Sequence, residues 1–98
     1  MRIDGFDWDD GNWPKCAKHG LSKDEIEFAL LQSSPLVLPD RSGSMEARYN
    51  AVGKNDAGRH IFVVFAFRDR EDLTLARPIS ARYMHRKEIE AYERSKKA

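Results

Sequence analysis

Two arginines stand where apolar segments of this chain end, a place where a strand can present a cation to an anionic ligand. Arg68 follows the run from Ile61 to Phe67, seven apolar residues that are mostly β-branched or aromatic, and Arg82 follows the next strand-like segment. A guanidinium has a permanent charge and a fixed fork of donors that suits phosphate. The two arginines therefore predict an anion site. The alternative for each is a structural ion pair with Asp69 or Glu88.

Five titratable side chains are the candidates for proton transfer or for further anion binding. They are Lys18, His19, Asp69, His85 and Tyr92. Lys18 and His19 come at the C-terminal end of a predicted helix, where the helix dipole favours cations for structural reasons. His85 and Tyr92 lie on the apolar side of the last predicted helix, so packing is their alternative role.

Length and composition exclude several classes of protein. The 98 residues are enough for one domain, predicted to span residues 1–98. The single cysteine, Cys16, excludes an internal disulfide and a thiolate zinc cage. The three histidines are dispersed and the acids have no ligand spacing, so no metal and no cofactor are predicted. Neither a membrane span nor a signal peptide is recognisable, which predicts a cytoplasmic protein without membrane contact.

The charges are divided unevenly between the two halves of the chain. Residues 1–40 hold four Lys or Arg against eight Asp or Glu, whereas residues 41–98 hold thirteen against eight. The basic half also contains the arginine-flanked strands, so a polyanionic partner is plausible there. A solvated basic face is the more common meaning of such a pattern.

Two helix starts are predicted in the first third of the chain. Asn12 can cap a short helix that ends at Gly20, a residue suited to the left-handed conformation. Ser22 and Glu25 have the spacing of a capping box, and the helix that they start should end near Gln32. The predicted buried side of this second helix consists of Ile26, Phe28, Ala29 and Leu30.

The strands follow these helices and are linked by loops of hairpin length. They are predicted at Met45–Val52, at Ile61–Phe67 as the central strand, and at Leu73–Ser80, with shorter strands at Ile3–Trp8 and Leu36–Leu38. Pro78 cannot donate to a ladder and should face away from a neighbour or end its strand. A last helix begins near His85. The predicted fold is α+β: a small antiparallel sheet with two N-terminal helices and a C-terminal helix packed on it.

Five segments in order along the chain resemble the BrnT toxins of bacterial type II toxin–antitoxin systems. They are FDWD with Gly11-Asn12, KHG-x-S from Lys18, RYNAVG from Arg48, VVFAFR from Val63, and RPISARYMHRKEIEAYE from Arg77. The last motif is long and specific, whereas the others are individually weak.

The resemblance implies a RelE/ParE-like fold and a metal-independent ribonuclease that inhibits translation. It further implies neutralisation by a BrnA-type antitoxin, which carries the DNA-binding element, so that operator DNA is reached only through the antitoxin. The functional residues carried over are Arg68 with Asp69, at the end of the central strand, and Arg82 of the ISAR motif. The family acid at the first position is commonly glutamate, one methylene longer than Asp69.

RNA cleavage of this kind needs cations at the phosphoryl oxygens and groups that move protons to and from the ribose oxygens. Arg68 and Arg82 are the predicted cations. Trp8 and Trp13 are interpreted as core anchors rather than as platforms for stacking bases. The alternative function is a non-catalytic binding module or co-repressor subunit of a toxin–antitoxin complex, which the substitution at Asp69 keeps open.

Overall fold

The computed structural model describes residues 3–32, 38–39 and 47–97, which form one five-stranded sheet and three helical elements. The strands are β1 Gly5–Phe6, β2 Leu38–Pro39, β3 Tyr49–Lys54, β4 His60–Arg70 and β5 Leu73–Tyr83, in the sheet order β1-β5-β4-β3-β2. The helical elements are a 3₁₀ helix Lys15–His19, α1 Lys23–Gln32 and α2 Arg86–Lys97. The predicted α+β class is confirmed.

The central strand is β4, as its apolar run predicted. It pairs antiparallel with β3 on one side and with β5 on the other. Ile61, Val63 and Phe65 are fully buried, whereas Phe62 and Val64, which point to the opposite face, are half-buried. One face of the strand is therefore sealed by the core, and the other is partly open. We call the second face, on which Phe62 and Val64 lie, the outer face.

The second predicted helix, α1, begins and ends where its local signals place it. Ser22 Oγ accepts a hydrogen bond from Glu25 N at 3.1 Å, and Glu25 Oε1 accepts one from Ser22 N at 3.2 Å. This reciprocal pair is the predicted capping box. Glu25 also accepts a 2.6 Å hydrogen bond from the Tyr83 hydroxyl, which lowers the pKa of the carboxyl and ties α1 to β5.

The buried side of α1 consists of Ile26, Ala29 and Leu30, all at most 2% exposed. The prediction that Phe28 belongs to this side was wrong, because it is 41% exposed. Successive residues are about 100° apart around a helix, and this rotation takes Phe28 out of the buried stripe. α1 lies so close to β3 that a Cβ at Gly53 would overlap the backbone of Ala29.

The first predicted helix is shorter and tighter than expected. Pro14 occupies the N-cap position of a five-residue 3₁₀ helix, and Gly20 ends it with φ 89°, as predicted. Asn12 does not cap it, because its Oδ1 accepts from Asp9 N at 2.8 Å, while its Nδ2 donates to the carbonyl oxygens of Asp7 and Pro78, both at 2.9 Å. Two N-terminal α-helices were expected, and the described residues contain one. Few positions remain between Pro14 and Gly20, a length typical of 3₁₀ segments.

The sheet is mixed, which corrects the prediction of an antiparallel sheet. β1 runs parallel to β5, with Gly5 opposite Leu75 and Phe6 opposite Ala76. The chain leaves β1 through the helical elements and returns only in its last third. A connection of that length does not force the antiparallel order that a hairpin would.

Pro78 lies within β5 rather than at its end, at an irregularity in the ladder. Phe65 pairs with Pro78 while the preceding Val64 pairs with Ser80, so Ile79 is the extra residue of a bulge. A bulge is one of the few places in a sheet that tolerates proline.

The predicted strands that correspond to β2 and β3 are described only in part. β2 retains Leu38 of the predicted segment Leu36–Leu38, and residues 36–37 lie outside the described residues. β3 begins at Tyr49, so residues 45–46 of the predicted strand also lie outside them. Within β3, the core side of the predicted alternation holds for Tyr49 and Ala51, but Val52 on the other side is also buried, and Ala47 and Arg48 of the predicted strand precede β3.

The C-terminal helix, α2, is attached to the outer face by its polar side chains. None of its described side chains is buried; the half-buried ones are Glu88, Ile89, Tyr92 and Glu93. The predicted packing of this helix on the sheet is therefore limited to contacts at its edge. Within the described ranges, no helix combines the length and the apolar character needed to cross a membrane.

Candidate anion and proton-transfer site

Arg68 and Arg82 lie on the same face of the sheet, at opposite ends. Arg82 is directly opposite Phe62, and Arg68 is six residues further along β4 on the same side of the pleat. At about 3.3 Å per residue, this places their Cα positions about 20 Å apart. The two guanidinium groups therefore cannot bind one phosphate together, and each belongs to a separate cluster.

The first cluster surrounds a cleft of about 200 Å³, which we call the arginine cleft. Its lining residues are Gly11, Asn12, Lys15, Arg48, Arg68, Arg77 and Ile79. Four of these seven side chains are cations. They come from the 3₁₀ helix, from the residue before β3, and from β4 and β5, so the cleft is built by packing and not by one segment.

Asp7 provides an internal counter-charge beside the arginine cleft. Its carboxylate is 10% exposed and lies 3.2 Å from Arg77 Nη1, 3.4 Å from Arg70 Nη2 and 4.0 Å from Arg68 Nε. Asp9 binds Arg77 at 2.9 Å, which lowers the pKa of the Asp9 carboxyl and raises that of the guanidinium. Among the described residues, and counting Arg70, five cations face the two carboxylates of Asp7 and Asp9.

Arg48 is the cation of this cluster with an unused donor. Its Nε atom is buried and has no hydrogen-bond partner in the part of the chain that the structure describes. A buried donor without a partner costs roughly 1–3 kcal/mol. Because that atom has no exposed surface, a ligand oxygen in the cleft can reach it only if the Arg48 side chain turns toward the cleft.

A turn from Asp7 to Asn12 holds the acidic side of the cleft. Asn12 Oδ1 accepts from Asp9 N at 2.8 Å, and Asp9 Oδ1 accepts from Gly11 N at 2.7 Å. A Cβ at Gly11 would approach Arg77 Nη2 to 2.9 Å, so glycine leaves the room that the guanidinium needs. With the bond from Asn12 to the Pro78 carbonyl, this turn is fastened to β5.

The second cluster is centred on Arg82 and joins β5 to α2. Arg82 donates from both Nη atoms to Glu88, at 2.7 and 2.8 Å, and lies over the Phe62 ring at 4.8 Å. His85 N also donates to Glu88, at 3.0 Å. The hydrogen bonds from Arg82, and then that from His85, lower the pKa of Glu88 to about 2. The structural ion pair considered for Arg82 is therefore present.

His60 lies two residues before Phe62 on β4, so both side chains are on the same face of the strand, and Phe62 is directly opposite Arg82. Its Nε2 is 3.1 Å from Glu93 Oε1, and its ring meets Tyr92 edge-on at 6.0 Å. From the sequence, His60 was considered only as a possible metal ligand. The alternation along β4 is the signal that places it near Arg82, because diagonal neighbours on one face are about 7–8 Å apart.

The remaining predicted residues are dispersed. Asp69 is exposed at the end of β4 opposite Thr74, and the alternation of the strand directs its side chain to the face opposite that of Arg68. Lys18 and His19 are exposed at the end of the 3₁₀ helix. The structure thus links His85, through its backbone N, to Glu88 and so to Arg82, places Tyr92 against His60, and does not bring Asp69 beside Arg68.

Lys15, Arg48 and Arg77 were not predicted as members of a site. Arg48 and Arg77 occur in two of the motifs that carried the resemblance, but no spacing along the chain links them. Only the strand register does, since Arg77 is opposite Ala66, two residues before Arg68.

Trp8 and Trp13 pack as the core anchors that the sequence predicted. Their rings meet edge-on at 5.4 Å and both are partly buried against the core. Lys23 Nζ is 5.6 and 5.2 Å from the two ring centroids, and Trp8 Nε1 donates to Glu27 at 2.8 Å.

A second cleft, of about 190 Å³, lies between α1 and the β3–β4 loop. It is lined by Asp24, Glu25, Phe28, Asn55 and Asp56. Its three acids make it unsuited to phosphate.

Across residues 3–32, 38–39 and 47–97, no three His, Cys, Asp or Glu side chains come together as a metal site.

Comparison with known proteins connects both clusters to one family. The model of the BrnT toxins, described as ribonuclease toxins of type II toxin–antitoxin systems, matches residues 8–88. A search of curated proteins finds no match. The matched span includes the cations of the arginine cleft and extends to Glu88, the partner of Arg82.

Proposed function

The chain belongs to the BrnT family of ribonuclease toxins of type II toxin–antitoxin systems, and we propose that it cleaves RNA without a metal ion at the Arg82 end of the outer face. Membership implies an RNA substrate and an antitoxin partner. The RelE/ParE-like fold is part of the same proposal, supported by the antiparallel arrangement of β3, β4 and β5 with α1 on one face.

The observation that carries the proposal is the separation of the two arginines on one face. Proton transfer needs groups that gain and lose a proton near neutral pH, and guanidinium groups do not. The arginine cleft offers guanidinium groups, an amine and two carboxylates engaged with arginines. The Arg82 end offers two histidines, His60 and His85, beside a cation. We therefore assign the chemistry to the Arg82 end.

In the proposed reaction, the ribose 2′-oxygen attacks the adjacent phosphorus while the bond from phosphorus to the 5′-oxygen breaks. A 2′,3′-cyclic phosphate and a free 5′-hydroxyl result. His60, bonded to Glu93, accepts the proton of the 2′-hydroxyl, and His85 gives a proton to the departing 5′-oxygen. Arg82 stabilises the charge on the phosphoryl oxygens, as a preorganised donor does in other transfers.

Access to Arg82 requires Glu88 to release the guanidinium fork. A phosphate offers the fork the same bidentate geometry as a carboxylate, so RNA can replace Glu88 on it. α2 has no buried side chain among those described, so its first turn can move at low cost. Asp69 has no part in this scheme because its side chain lies on the other face.

The decisive experiment compares Arg82→Ala with Glu88→Gln. We expect Arg82→Ala to abolish growth arrest and to lower the rate of RNA cleavage by about 10²–10³, the usual loss for one preorganised donor. Glu88→Gln removes the same ion pair but keeps the guanidinium, so cleavage should be retained or increased. If both variants lose activity equally while remaining folded, Arg82 only attaches α2 and the assignment is wrong.

Arg82→Lys tests whether the fork matters. Lysine keeps the charge and loses the bidentate geometry, so a large loss of cleavage supports phosphate binding by the fork and a small loss supports a general electrostatic role. Wild-type cleavage by a folded Arg68→Ala, Arg82→Ala double variant would contradict the proposal.

A second candidate function is a non-catalytic subunit of the toxin–antitoxin complex. The observation in its favour is that both Nη atoms of Arg82 donate to Glu88, so the guanidinium fork is already engaged in the free protein. Expression of the chain alone separates the two functions, because a ribonuclease arrests growth and a binding subunit does not.

The proposed partner is a BrnA-type antitoxin, through which the complex reaches operator DNA. The basic outer face is the surface that a neutralising partner must cover to exclude RNA. We place this activity in the cytoplasm, where translation occurs.

A further inference from the structure

We propose that the arginine cleft binds a backbone phosphate of the RNA several nucleotides from the cleaved bond, so that efficient cleavage requires RNA that extends along the outer face. This inference rests on the proposed function, because it takes the Arg82 end as the place of cleavage. It adds a binding site, Lys15, Arg48, Arg68 and Arg77, and a dependence on substrate length.

The charge of the cleft determines the class of ligand. Four cations line a space of about 200 Å³, and among the described residues two carboxylates, those of Asp7 and Asp9, are engaged with the arginines of this cluster. Cations held together by the fold repel one another, and an anion between them relieves that repulsion. Lining by guanidinium groups favours phosphate in particular, because the fork matches its oxygens.

Arg48 is a cation of the cleft that a ligand can engage without displacing a carboxylate. Arg77 already bonds to Asp7 and Asp9, while Arg48 has no ion pair among the described residues and its buried Nε has no partner there. A phosphate that accepts a hydrogen bond from the Arg48 guanidinium would gain a charge-assisted contact, and it reaches Nε if the side chain turns toward the cleft. Binding is therefore expected on the side of the cleft where Arg48 and Lys15 lie.

Asp7 shows that this side chain cluster accommodates an anion. Its carboxylate lies within 4.0 Å of Arg68, Arg70 and Arg77 at once. Asp7 belongs to the protein, so it balances part of the charge when RNA is absent. It also limits how tightly the cleft can bind a phosphate, since both anions use the same donors.

The distance between the clusters defines the length of RNA that is required. Arg68 and the strand position opposite Arg82 are six residues apart on β4, about 20 Å along the strand. That span exceeds the spacing of adjacent phosphates in a nucleic acid strand, so the two sites contact phosphates separated by several nucleotides. A dinucleotide can reach only one of them.

Binding to an uncleavable RNA tests the cleft without any need for catalysis. A fluorescent single-stranded oligonucleotide with 2′-O-methyl groups at every position is titrated with the purified toxin at several salt concentrations. Arg48→Gln should weaken binding roughly tenfold or more, the value of one charge-assisted contact, and should reduce the salt dependence by about one phosphate contact.

Arg86→Gln is the matched control, because Arg86 is a 93% exposed arginine on α2 whose ion pair is with Glu90. It removes the same charge from another part of the surface and should change binding little. Arg48→Lys keeps the charge and loses Nε, so we expect binding between those of the wild type and Arg48→Gln. Thermal unfolding of each variant confirms that it folds. Equal binding by wild-type protein and folded Arg48→Gln and Arg48→Lys would overturn the inference.

Cleavage of short and long substrates tests the distance. With a long RNA, Arg48→Gln should raise KM and leave kcat nearly unchanged, because the cleft binds the substrate away from the reacting atoms. With a dinucleotide, wild type and Arg48→Gln should be equal. An equal effect of Arg48→Gln on both substrates would contradict remote binding. Absence of cleavage with any substrate would reject the proposed function, and the binding titration would still decide whether the cleft holds a phosphate.

Discussion

At the scale of single residues, the Arg82–Glu88 pair shows how one contact can serve both folding and chemistry. Two hydrogen bonds of 2.7 and 2.8 Å attach the first turn of α2 to β5. The same two donors are the ones that the proposed function gives to a phosphate. The pair therefore stabilises the free protein, and in the proposed function RNA must displace Glu88 before a phosphate can bind to the fork.

We expect the contribution of Glu88 to stability to disappear in acid. Its pKa is about 2 in the folded protein, against an ordinary value of about 4.5. The unfolded chain thus takes up a proton first as the pH falls, so the stabilisation is complete above about pH 5 and is lost as the pH approaches 2. Solvent screens the half-exposed pair, which limits the size of the effect. Urea unfolding of wild type and Glu88→Gln should show a difference in midpoint at pH 6 that vanishes near pH 2.

Asp7 is the residue whose removal should separate stability from RNA binding. Its carboxylate is nearly buried between three arginines, so Asp7→Asn leaves those cations poorly paired and should lower the free energy of unfolding by about 2–4 kcal/mol. The same change frees donors in the arginine cleft and should tighten binding of uncleavable RNA. Asp10→Asn, at an exposed neighbour, is the control. Weaker RNA binding by a folded Asp7→Asn protein would argue against competition between Asp7 and phosphate.

Predictability at this scale depends on how far apart the interacting residues are in the chain. The capping box of Ser22 and Glu25 spans three positions, and its chemistry is local, so sequence alone identified it. The pair of Arg77 with Asp7 spans 70 positions and depends on the parallel pairing of β1 with β5. No local pattern specifies that pairing, so the arginine cleft emerged only from the structure.

At the scale of elements, the two faces of β4 differ: one is buried in the core, and the outer face is partly exposed. Its inward residues make the core with α1, and its outward residues lie among the charged groups of the site. Alternation predicted that Tyr49 and Ala51 of β3 pack toward the core, but Val52 is also buried. The continuous apolar run of β4 is typical of a strand covered on both faces, whereas Phe62 and Val64 on its outer face are only half-buried.

A matched pair of substitutions measures this difference between the faces of β4. Val63→Asp places a charge at a position with no exposed surface, which should cost several kcal/mol and unfold a domain of ordinary stability. Val64→Asp places the same charge on the outer face, where the side chain is half-buried, and should leave a folded protein with a lower midpoint. Circular dichroism during urea unfolding distinguishes the two; equal effects would mean that the outer face is as closed as the core.

The helices differ in how well sequence predicts their packing. α1 has a cap, a stop signal and a buried stripe that agree with one another, and only Phe28 was misplaced. α2 has a clear apolar side, from which packing on the sheet was expected. Its attachment depends instead on the positions of Arg82 and His60 on the strands, which periodicity within the helix cannot supply.

At the scale of the whole molecule, part of the charge difference between the two halves of the chain is neutralised by ion pairs within the protein. Acids of the N-terminal half, Asp7 and Asp9, neutralise arginines of the C-terminal half. Among the described residues, Lys15, Arg48, Arg68 and Arg77 come together at the arginine cleft. A protein partner that covers the outer face needs acidic side chains, because they would supply to these cations the negative charge that the phosphates of RNA supply.

We expect association with the antitoxin to depend on salt chiefly through its rate. If an acidic surface of the antitoxin covers the outer face, raising the salt concentration should slow association much more than it speeds dissociation. Stopped-flow measurements between about 50 and 200 mM salt would show this. Arg68→Ala should reduce the dependence, whereas Arg86→Gln should not. A complex that binds uncleavable RNA as well as the free toxin does would exclude occlusion of this face.

The parallel pairing of β1 with β5 sets the order in which a ribosome can deliver a finished toxin. Gly5 and Phe6 leave the exit tunnel early, but their partners Leu75 and Ala76 are made about 70 residues later. Contacts that are so distant in the chain form late in folding. The turn that carries Asp7 therefore has no β5 to pack against until late in synthesis, and the arginine cleft and the Arg82 cluster are both completed only when translation of the chain is nearly finished.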